Sequence, residues 1–536
     1  MTHTSCPFGH LPFSDLFQKY ILQDPDLLTF YETNPFDSEA IQNKSAHLRS
    51  GSLTQKLIPV LGAYHETLGI ADLQRSALDR MKQEDALAIV TGQQLGVFGG
   101  PVFTMYKIIT AIQLSKKWEK QLQRPVVPVF WLADEDHDYD EIASLGLFGK
   151  DDFQICRFPD DDSGQPVSAI EIPNWDEFKA CLTGHLFETE FSEKVWSLIH
   201  ACYEQGNTHG KAFATLIAHL FSKYGLLVCG SFNGGIKKLL IPVLTRSVTE
   251  RSRIQRLLMD TSEHISEAYH QQVKIGETNL FFIDDQGKRE KISIADSGFS
   301  AGNSSWSESE LLEAIERSPE RFSPNVFLRP IIQDHLLPTL GYVAGPGELA
   351  YYAQMKSYYE AFDLTMPVIY PRLSMTLVES GVRRVTEKLP FELPDYYERV
   401  EELNAKYIDA SHHPDINALF NEKLKELGKL EQQLAGEVAP IDASLTGFVG
   451  KTFAGFQNEI NKVRGRVTKS IKQQEQVQLQ RIEKAKINLF PGGGLQERAI
   501  GPLYFMNKYG IDLWDRLLVY IEHEELTSDE HHIIDL

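Results

Sequence analysis

The chain has 536 residues, 42% of them apolar, and a formal net charge of −21. Its length exceeds what one compact domain needs, and its acidity repels nucleic-acid phosphates, so a general DNA or RNA binder is excluded short of a segregated basic face. No apolar run reaches the roughly 18 residues of a membrane span, and residues 1–18 lack a basic start followed by an apolar stretch, so the expectation is a cytoplasmic protein with no membrane partner that works on small molecules.

Residues 1–85 read as helices broken by polar turns, with Pro25 and Pro35 at two of the breaks. Residues 87–91 (LAIVT) are a short apolar run ending in Gly92, the form of a buried parallel strand. A glycine-rich turn follows through Gly96, Gly99 and Gly100; Pro101 suits the first position of a helix, and residues 103–117 carry a helical pattern. The next strand, residues 126–132 (VVPVFWL), runs straight into Asp134-Glu135-Asp136-His137-Asp138. Further strands are expected at residues 226–229 and 367–370, each after a helical stretch. This alternation predicts an α/β fold with a doubly wound parallel core.

The core segments are then residues 1–149, with the N-terminal helices, 209–247 and 320–380, separated by inserts at 150–208 and 248–319. The second insert holds a hairpin, residues 279–283 and 289–294 around Asp285-Gln286-Gly287. Residues 381–487 shift to long charged helices. Apolar side chains recur in four- and three-residue steps at Leu434, Val438, Ile441, Leu445 and Phe448, and again from Val449 through Phe453, Phe456, Ile460, Val463 and Val467. That spacing is a coiled-coil seam, and Pro440 breaks it into two antiparallel arms, either solvated or open to a second copy. Residues 488–536 return to globular texture and are expected to dock on the core. The five cysteines (Cys6, Cys156, Cys181, Cys202, Cys229) are widely spaced with no C-x-x-C pair, so they read as reduced thiols with no zinc site.

Three loop groups carry chemistry. In the first, Thr91, Gly92, Gln93, Gln94, Gly99 and Gly100 end a strand and start a helix whose positive end, with Thr104 and Lys107, would face a phosphate or carboxylate; a tight turn without ligand reads equally well. No G-K-[ST] follows, so this is not a Walker loop. In the second, carboxylates around His137 suit Mg²⁺, a raised basicity of His137, or a grip on an amino acid's ammonium group, against the plain alternative of a helix-capping loop. In the third, Asn325 and Arg329 precede the Gly-Pro-Gly turn before Glu348, while Tyr370 and Arg372 end the last strand; Arg498 follows a glycine run after the coiled coil. Arg329 and Arg372 read as anion contacts or as structural pairs.

Taken together, TGQQLGVFGGPVFTMYK, WLADEDHDYDE, YHQQV with NLFF, NVFLRP, YVAGPGELAYYAQ, YPRLS and LFPGGGLQER resemble the bacillithiol biosynthesis cysteine-adding (BshC) family over nearly the whole chain. The resemblance implies a Rossmann-like core related to class I aminoacyl-tRNA synthetases, two connecting-peptide inserts and a coiled coil that makes a homodimer. It also implies a ligase that adds cysteine to glucosaminyl malate in the last step of bacillithiol synthesis. ATP or ADP is the expected nucleotide, with Mg²⁺ as a possible companion. On that reading Lys107, Asp136, His137 and Asp138 are catalytic, and Thr91, Gly92, Gln93, Gln94, Gly99, Gly100, Thr104, Asn325, Arg329, Tyr370, Arg372 and Arg498 bind substrate or nucleotide. The synthetase signatures H-I-G-H and K-M-S-K-S are absent, and residues 226–235 (LLVCGSFNGG) lack the aspartate expected after that strand. A metal-dependent hydrolase built on the DEDHD loop and a non-catalytic coiled-coil scaffold are the competing readings.

Overall fold

A computed structural model describes all residues except Asp151 of the first insert, Ser297 of the second, and residues 411–414 of the helical segment. Two compact units separate: residues 1–376 with 495–534, and residues 377–494 with 535–536.

The first unit is built on five parallel strands: β1 (Leu87–Gln93), β2 (Val126–Leu132), β3 (Leu227–Gly230), β4 (Thr339–Ala344) and β5 (Val368–Pro371). Their spatial order, β5-β4-β1-β2-β3, is the doubly wound order with its switch point between β1 and β4. β2 is buried along its whole length and β1 up to Gly92, which is why both read as unbroken apolar runs. Helix α1 (Phe103–Leu122) returns the chain from β1 to β2 and buries Ile108, Ile109, Ile112 and Trp118; each such side chain contributes about 1.5–3 kcal/mol on leaving water. Helices α2 (Gly234–Thr249), α3 (Leu328–Leu336) and α4 (Pro346–Tyr352) follow in chain order.

The first insert carries an antiparallel pair, Ser144–Phe148 with Phe153–Arg157, and the helices Asp176–His185 and Ser192–Cys202. In the second, Leu280–Ile283 pairs with Arg289–Lys291, with Gly287 at φ +82° in the turn, and Leu280–Ile283 also pairs with Phe322–Pro324. The stretch from Leu495 to Ile534 belongs to this unit, and Pro502–Tyr509 and Leu513–His523 pack on it as helices.

One expectation is corrected. Cys156 and Cys181 form a disulfide, with Cα atoms 6.0 Å apart, and Cys6, Cys202 and Cys229 remain buried thiols outside it. The two lie 25 residues apart on a strand and a helix that pack together, a proximity that sequence spacing does not express.

In the second unit, α5 (Ile416–Val438) and α6 (Leu445–Gln474) form the antiparallel hairpin around Pro440. The apolar repeat divides: Val449 and Phe453 are buried, whereas Ile441, Phe448, Phe456 and Val463 are exposed. Among the described residues no helix is long and apolar enough to cross a membrane.

Candidate active site

The carboxyl ends of parallel strands leave a crevice at a switch point, and here a cavity of about 610 Å³ opens beside β1 and β4. β1 contributes Gly92 and Gln93 and the following loop Gln94; β2 and its loop contribute Trp131 to His137; β4 and its loop contribute Tyr342 and Gly345 to Glu348. Phe103 and Lys107 enter from α1, Asn325 and Arg329 from the start of α3, Arg372 from after β5, Phe281, Arg289 and Lys291 from the hairpin of the second insert, and Arg498 from the C-terminal stretch. Seven lysines and arginines line the cavity against four carboxylates, in a chain whose net charge is −21.

Lys107 is buried. Its ammonium donates to the Gly92 carbonyl at 2.8 Å and to Gln93 Oε1 at 3.0 Å, and it pairs with Glu348. Burial lowers its pKa to about 8, although Glu348 pulls the other way. Burial works to raise the pKa of Glu348, but Lys107, the Tyr342 hydroxyl at 2.6 Å and the Gly345 amide at 2.7 Å outweigh it and hold the carboxyl below its ordinary value. Arg329 donates to the Tyr351 hydroxyl at 2.8 Å and the Tyr342 hydroxyl at 3.3 Å. Arg372 is locked to the fully buried Glu497 by two bonds of 2.9 and 2.6 Å, which leaves its Nε–H without a partner among the described residues. Its guanidinium carbon stands 5.1 Å from the centre of the Phe103 ring. Lys274, Lys291 and Arg498 are exposed at the cavity, and among the described residues none of the three forms an ion pair.

The acidic loop splays. Glu135 turns inward to pair with Lys237 and to accept from Ser231. Asp134 is buried and accepts from the Phe232 amide at 3.2 Å through one oxygen, while its other oxygen has no partner among the described residues. Burial first, and then the neighbouring Glu135, push its pKa well above the carboxylate range. Asp136 is half-exposed and accepts from Gln94 at 3.1 Å. Asp138 caps the short helix Tyr139–Ile142 through the Glu141 amide. These carboxylates therefore do not converge, and among the described residues no group of three or more His, Cys, Asp or Glu is placed to hold a metal ion. Among the described residues they do not make the three-ligand set of a hydrolytic metal centre, and none is assigned as a ligand.

His137 is corrected in its chemistry. Arg289 Nη1 lies 2.8 Å from His137 Nδ1, and a guanidinium can only donate, so Nδ1 accepts and the proton of the neutral ring sits on Nε2. Burial and then Arg289 lower the pKa of the imidazole. The expected raised basicity is therefore absent, because its one lone pair is engaged; the ring offers a donor instead. Arg289 is fixed in turn by Ser323 Oγ and the Pro324 carbonyl, both at 2.8 Å, and stacks 3.7 Å over Phe281.

Ten residues nominated from the sequence thus line one cavity: Gly92, Gln93, Gln94, Lys107, Asp136, His137, Asn325, Arg329, Arg372 and Arg498. Six do not. Besides the capping Asp138, Thr91 is buried with its hydroxyl donating to the Val343 carbonyl of β4 at 2.9 Å. Gly99 and Gly100 take positive φ in a buried turn sealed by the C-terminal stretch: a Cβ on Gly99 would lie 2.9 Å from Pro502, and the Val102 amide donates to the Ile500 carbonyl. Thr104 is fully buried behind that turn, and Tyr370 packs against Trp118 and Phe36. Sequence reasoning missed Lys274, Arg289 and Lys291; the one available signal was a cluster of cations flanking the hairpin.

Comparison with known proteins agrees along the whole length. The model of the bacillithiol biosynthesis BshC N-terminal Rossmann-like domain matches residues 1–373, and that of the BshC C-terminal coiled-coil domain matches residues 375–536. The chain is 33% identical to a Salinibacter ruber protein, with 96% of this chain and 95% of that one aligned, and 31% identical to one from Chloroherpeton thalassium over the full length of both. A Geobacillus kaustophilus relative is 29% identical, with 90% and 91% aligned. All three carry the name "Putative cysteine ligase BshC".

Proposed function

This chain belongs to the bacillithiol biosynthesis BshC family, and we propose that it is a ligase that joins cysteine to the amino group of glucosaminyl malate, drawing on ATP. The observation that carries this reading is the cation-lined cavity at the switch point of an acidic protein. Both ATP and a malate conjugate are polyanions, and a basic cleft in an acidic surface concentrates such ligands. The unpartnered Arg372 Nε–H and the unpaired Lys274, Lys291 and Arg498 fit phosphate and carboxylate oxygens.

When bound, ATP supplies activation of the cysteine carboxylate. The chain's own residues then bind and orient. Lys107, held by Glu348 and Gln93, presents a fixed positive charge under the loop after β1. His137 presents Nε2–H, a donor suited to oxygen that gains charge as the amide forms. Asn325 and Arg329 shape the wall next to Tyr351. We assign no proton abstraction to His137. The exposed apolar side chains of the coiled-coil hairpin support pairing of two copies there.

Incubation of the purified protein with ATP, cysteine and glucosaminyl malate, followed by mass spectrometry, tests the reading. An amide of the three-component reaction, with AMP or ADP released in equal amount and both lost in Lys107→Ala, is the expected result. If neither nucleotide cleavage nor amide appears although the substrates bind, the ligase reading is wrong and the scaffold takes its place.

A further inference from the structure

A run of hydrogen bonds leads away from the cavity behind Arg372. Its members are Glu497, Ser374, Met375, His531 and Thr376, all buried and all in the first unit. Glu497 Oε2 accepts from Arg372 Nη1 at 2.9 Å, from the Ser374 hydroxyl at 3.0 Å and from the Met375 amide at 3.0 Å. Ser374 Oγ also lies 2.8 Å from His531 Nδ1, and Thr376 Oγ1 lies 2.9 Å from His531 Nε2. Both nitrogens of this histidine, which stands outside the cavity lining, are therefore engaged.

Counting protons gives the run a direction. The ionised Glu497 carboxylate can only accept, so the single Ser374 hydroxyl proton goes to it. Ser374 then has only lone pairs to offer His531, and Nδ1 must carry the proton between them. Burial keeps the ring neutral by lowering its pKa to about 4; Glu497 opposes this, while His532 and Arg372 add to it. Nε2 is therefore bare and accepts from the Thr376 hydroxyl. The opposite tautomer would draw the Ser374 proton to Nδ1 and deprive the buried carboxylate of a donor, at a desolvation cost. Glu497 in turn fixes Arg372. Nη1 and Nη2 are both bound to it, Nη1 also donates to the Leu373 carbonyl at 2.8 Å, and Nε–H is left over. That nitrogen faces the wall of the cavity: a Cβ on Gly345 would lie 3.7 Å from Arg372 Nε and 3.7 Å from Lys107 Cε.

We propose that His531 is a positioning residue: its Nδ1–H turns the Ser374 hydroxyl toward Glu497, and Glu497 sets the plane of the Arg372 guanidinium in the cavity wall. Its effect on turnover rests on the ligase reading, whereas its effect on the orientation of Arg372 does not. The role needs a donor at the Nδ1 position and not merely a polar side chain of similar size. Asparagine carries its amide nitrogen at the δ position, where it can replace Nδ1–H; glutamine carries its own at the ε position and leaves Ser374 without that donor.

The test compares His531→Asn, His531→Gln, Ser374→Ala and the His531→Gln, Ser374→Ala double variant in the full-length protein. The Nε–H resonance of Arg372, assigned by its loss in Arg372→Lys, should move in His531→Gln and Ser374→Ala and return toward its wild-type position in His531→Asn. In the amide-forming assay with ATP, cysteine and glucosaminyl malate, kcat should fall about tenfold or more in His531→Gln and in Ser374→Ala. It should fall no further in the double variant, and His531→Asn should recover most of the loss. Urea unfolding of the two His531 variants separates this from a role in the frame alone, which predicts that activity follows stability. Ser374→Ala leaves the ring in place and removes only the hydroxyl, so it carries the test even where His531→Gln does not fold. Equal activities of the two His531 variants, additive losses in the double variant, or an Arg372 resonance that no substitution moves would overturn the assignment. If the resonance behaves as expected but the wild type makes no amide, the positioning role stands and the ligase reading fails.

Discussion

Substituting Glu497 by Gln asks whether Arg372 is held as part of the frame or kept free for ligand. Glu497 is fully buried and accepts four hydrogen bonds: two from Arg372, one from Ser374 Oγ at 3.0 Å and one from the Met375 amide at 3.0 Å. The glutamine keeps the shape but turns an NH₂ toward a guanidinium that can only donate, so a buried positive charge is left unpaired. Breaking a buried pair from one side costs about 3–5 kcal/mol. With a urea slope of about 3 kcal/mol/M or more for a unit of this size, the unfolding midpoint falls by roughly 1 M. The pair Arg372→Met with Glu497→Leu removes both charges and should recover most of that loss. The pH dependence has a definite sign: the folded pKa of Glu497 lies below its unfolded value of about 4.3, so its contribution is complete above that value and fades as the pH falls through the folded pKa. A Glu497→Gln protein within about 1 kcal/mol of wild type would refute the lock and return the whole guanidinium to ligand binding.

Lys107 carries its charge only below about pH 8, so ATP affinity measured by calorimetry should fall as the pH rises through that value; Lys107→Met should bind weakly throughout and lack the pH limb. Replacing Arg289 by Gln removes the donor on His137 Nδ1 and leaves Asp136 and Asp138 in place, so the imidazole pKa should rise, as read from histidine NMR titration; an unchanged value would mean that the Arg289–His137 bond does not set the tautomer. Thiol titration of air-purified, denatured protein should find three free cysteines out of five, and five after reduction; five without reductant would contradict the Cys156–Cys181 bond.

The parts of the fold legible in the sequence are those where one local rule acts alone. β1 and β2 are sheathed on both faces, so they read as apolar runs whatever surrounds them. β4 (TLGYVA) escaped as a strand because Gly341 weakens its pattern, and the reason lies in α1: a Cβ there would stand 2.7 Å from the Trp118 ring. At the site, position along the sheet edge was readable and side-chain direction was not. Thr91 points across to β4, while Gly92 and Gln93, the next two residues, meet the cavity. Gly99 and Gly100 looked like an anion turn because nothing local announces Ile500 and Pro502, about four hundred residues later, closing over them. Arg289 was missed for the same cause, since only the folded insert brings its hairpin against His137.

The electrostatic layout of the cavity separates two tasks that a net count of charge would merge. The inner groups are already committed: Lys107 to Glu348, Arg372 to Glu497, Arg329 to two tyrosine hydroxyls and Arg289 to His137. Their positions are fixed before ligand arrives, so what they offer is a set of oriented residual donors, chiefly Arg372 Nε–H and His137 Nε2–H, that need no rearrangement as charge develops. Among the described residues the rim groups Lys274, Lys291 and Arg498 are exposed and form no ion pair, and they set a positive field at the cavity mouth of an otherwise acidic protein. Salt screens exposed charge far more than buried charge. Raising ionic strength should therefore slow association and leave the rate of the bound complex nearly unchanged, whereas substitutions among the inner groups should do the reverse.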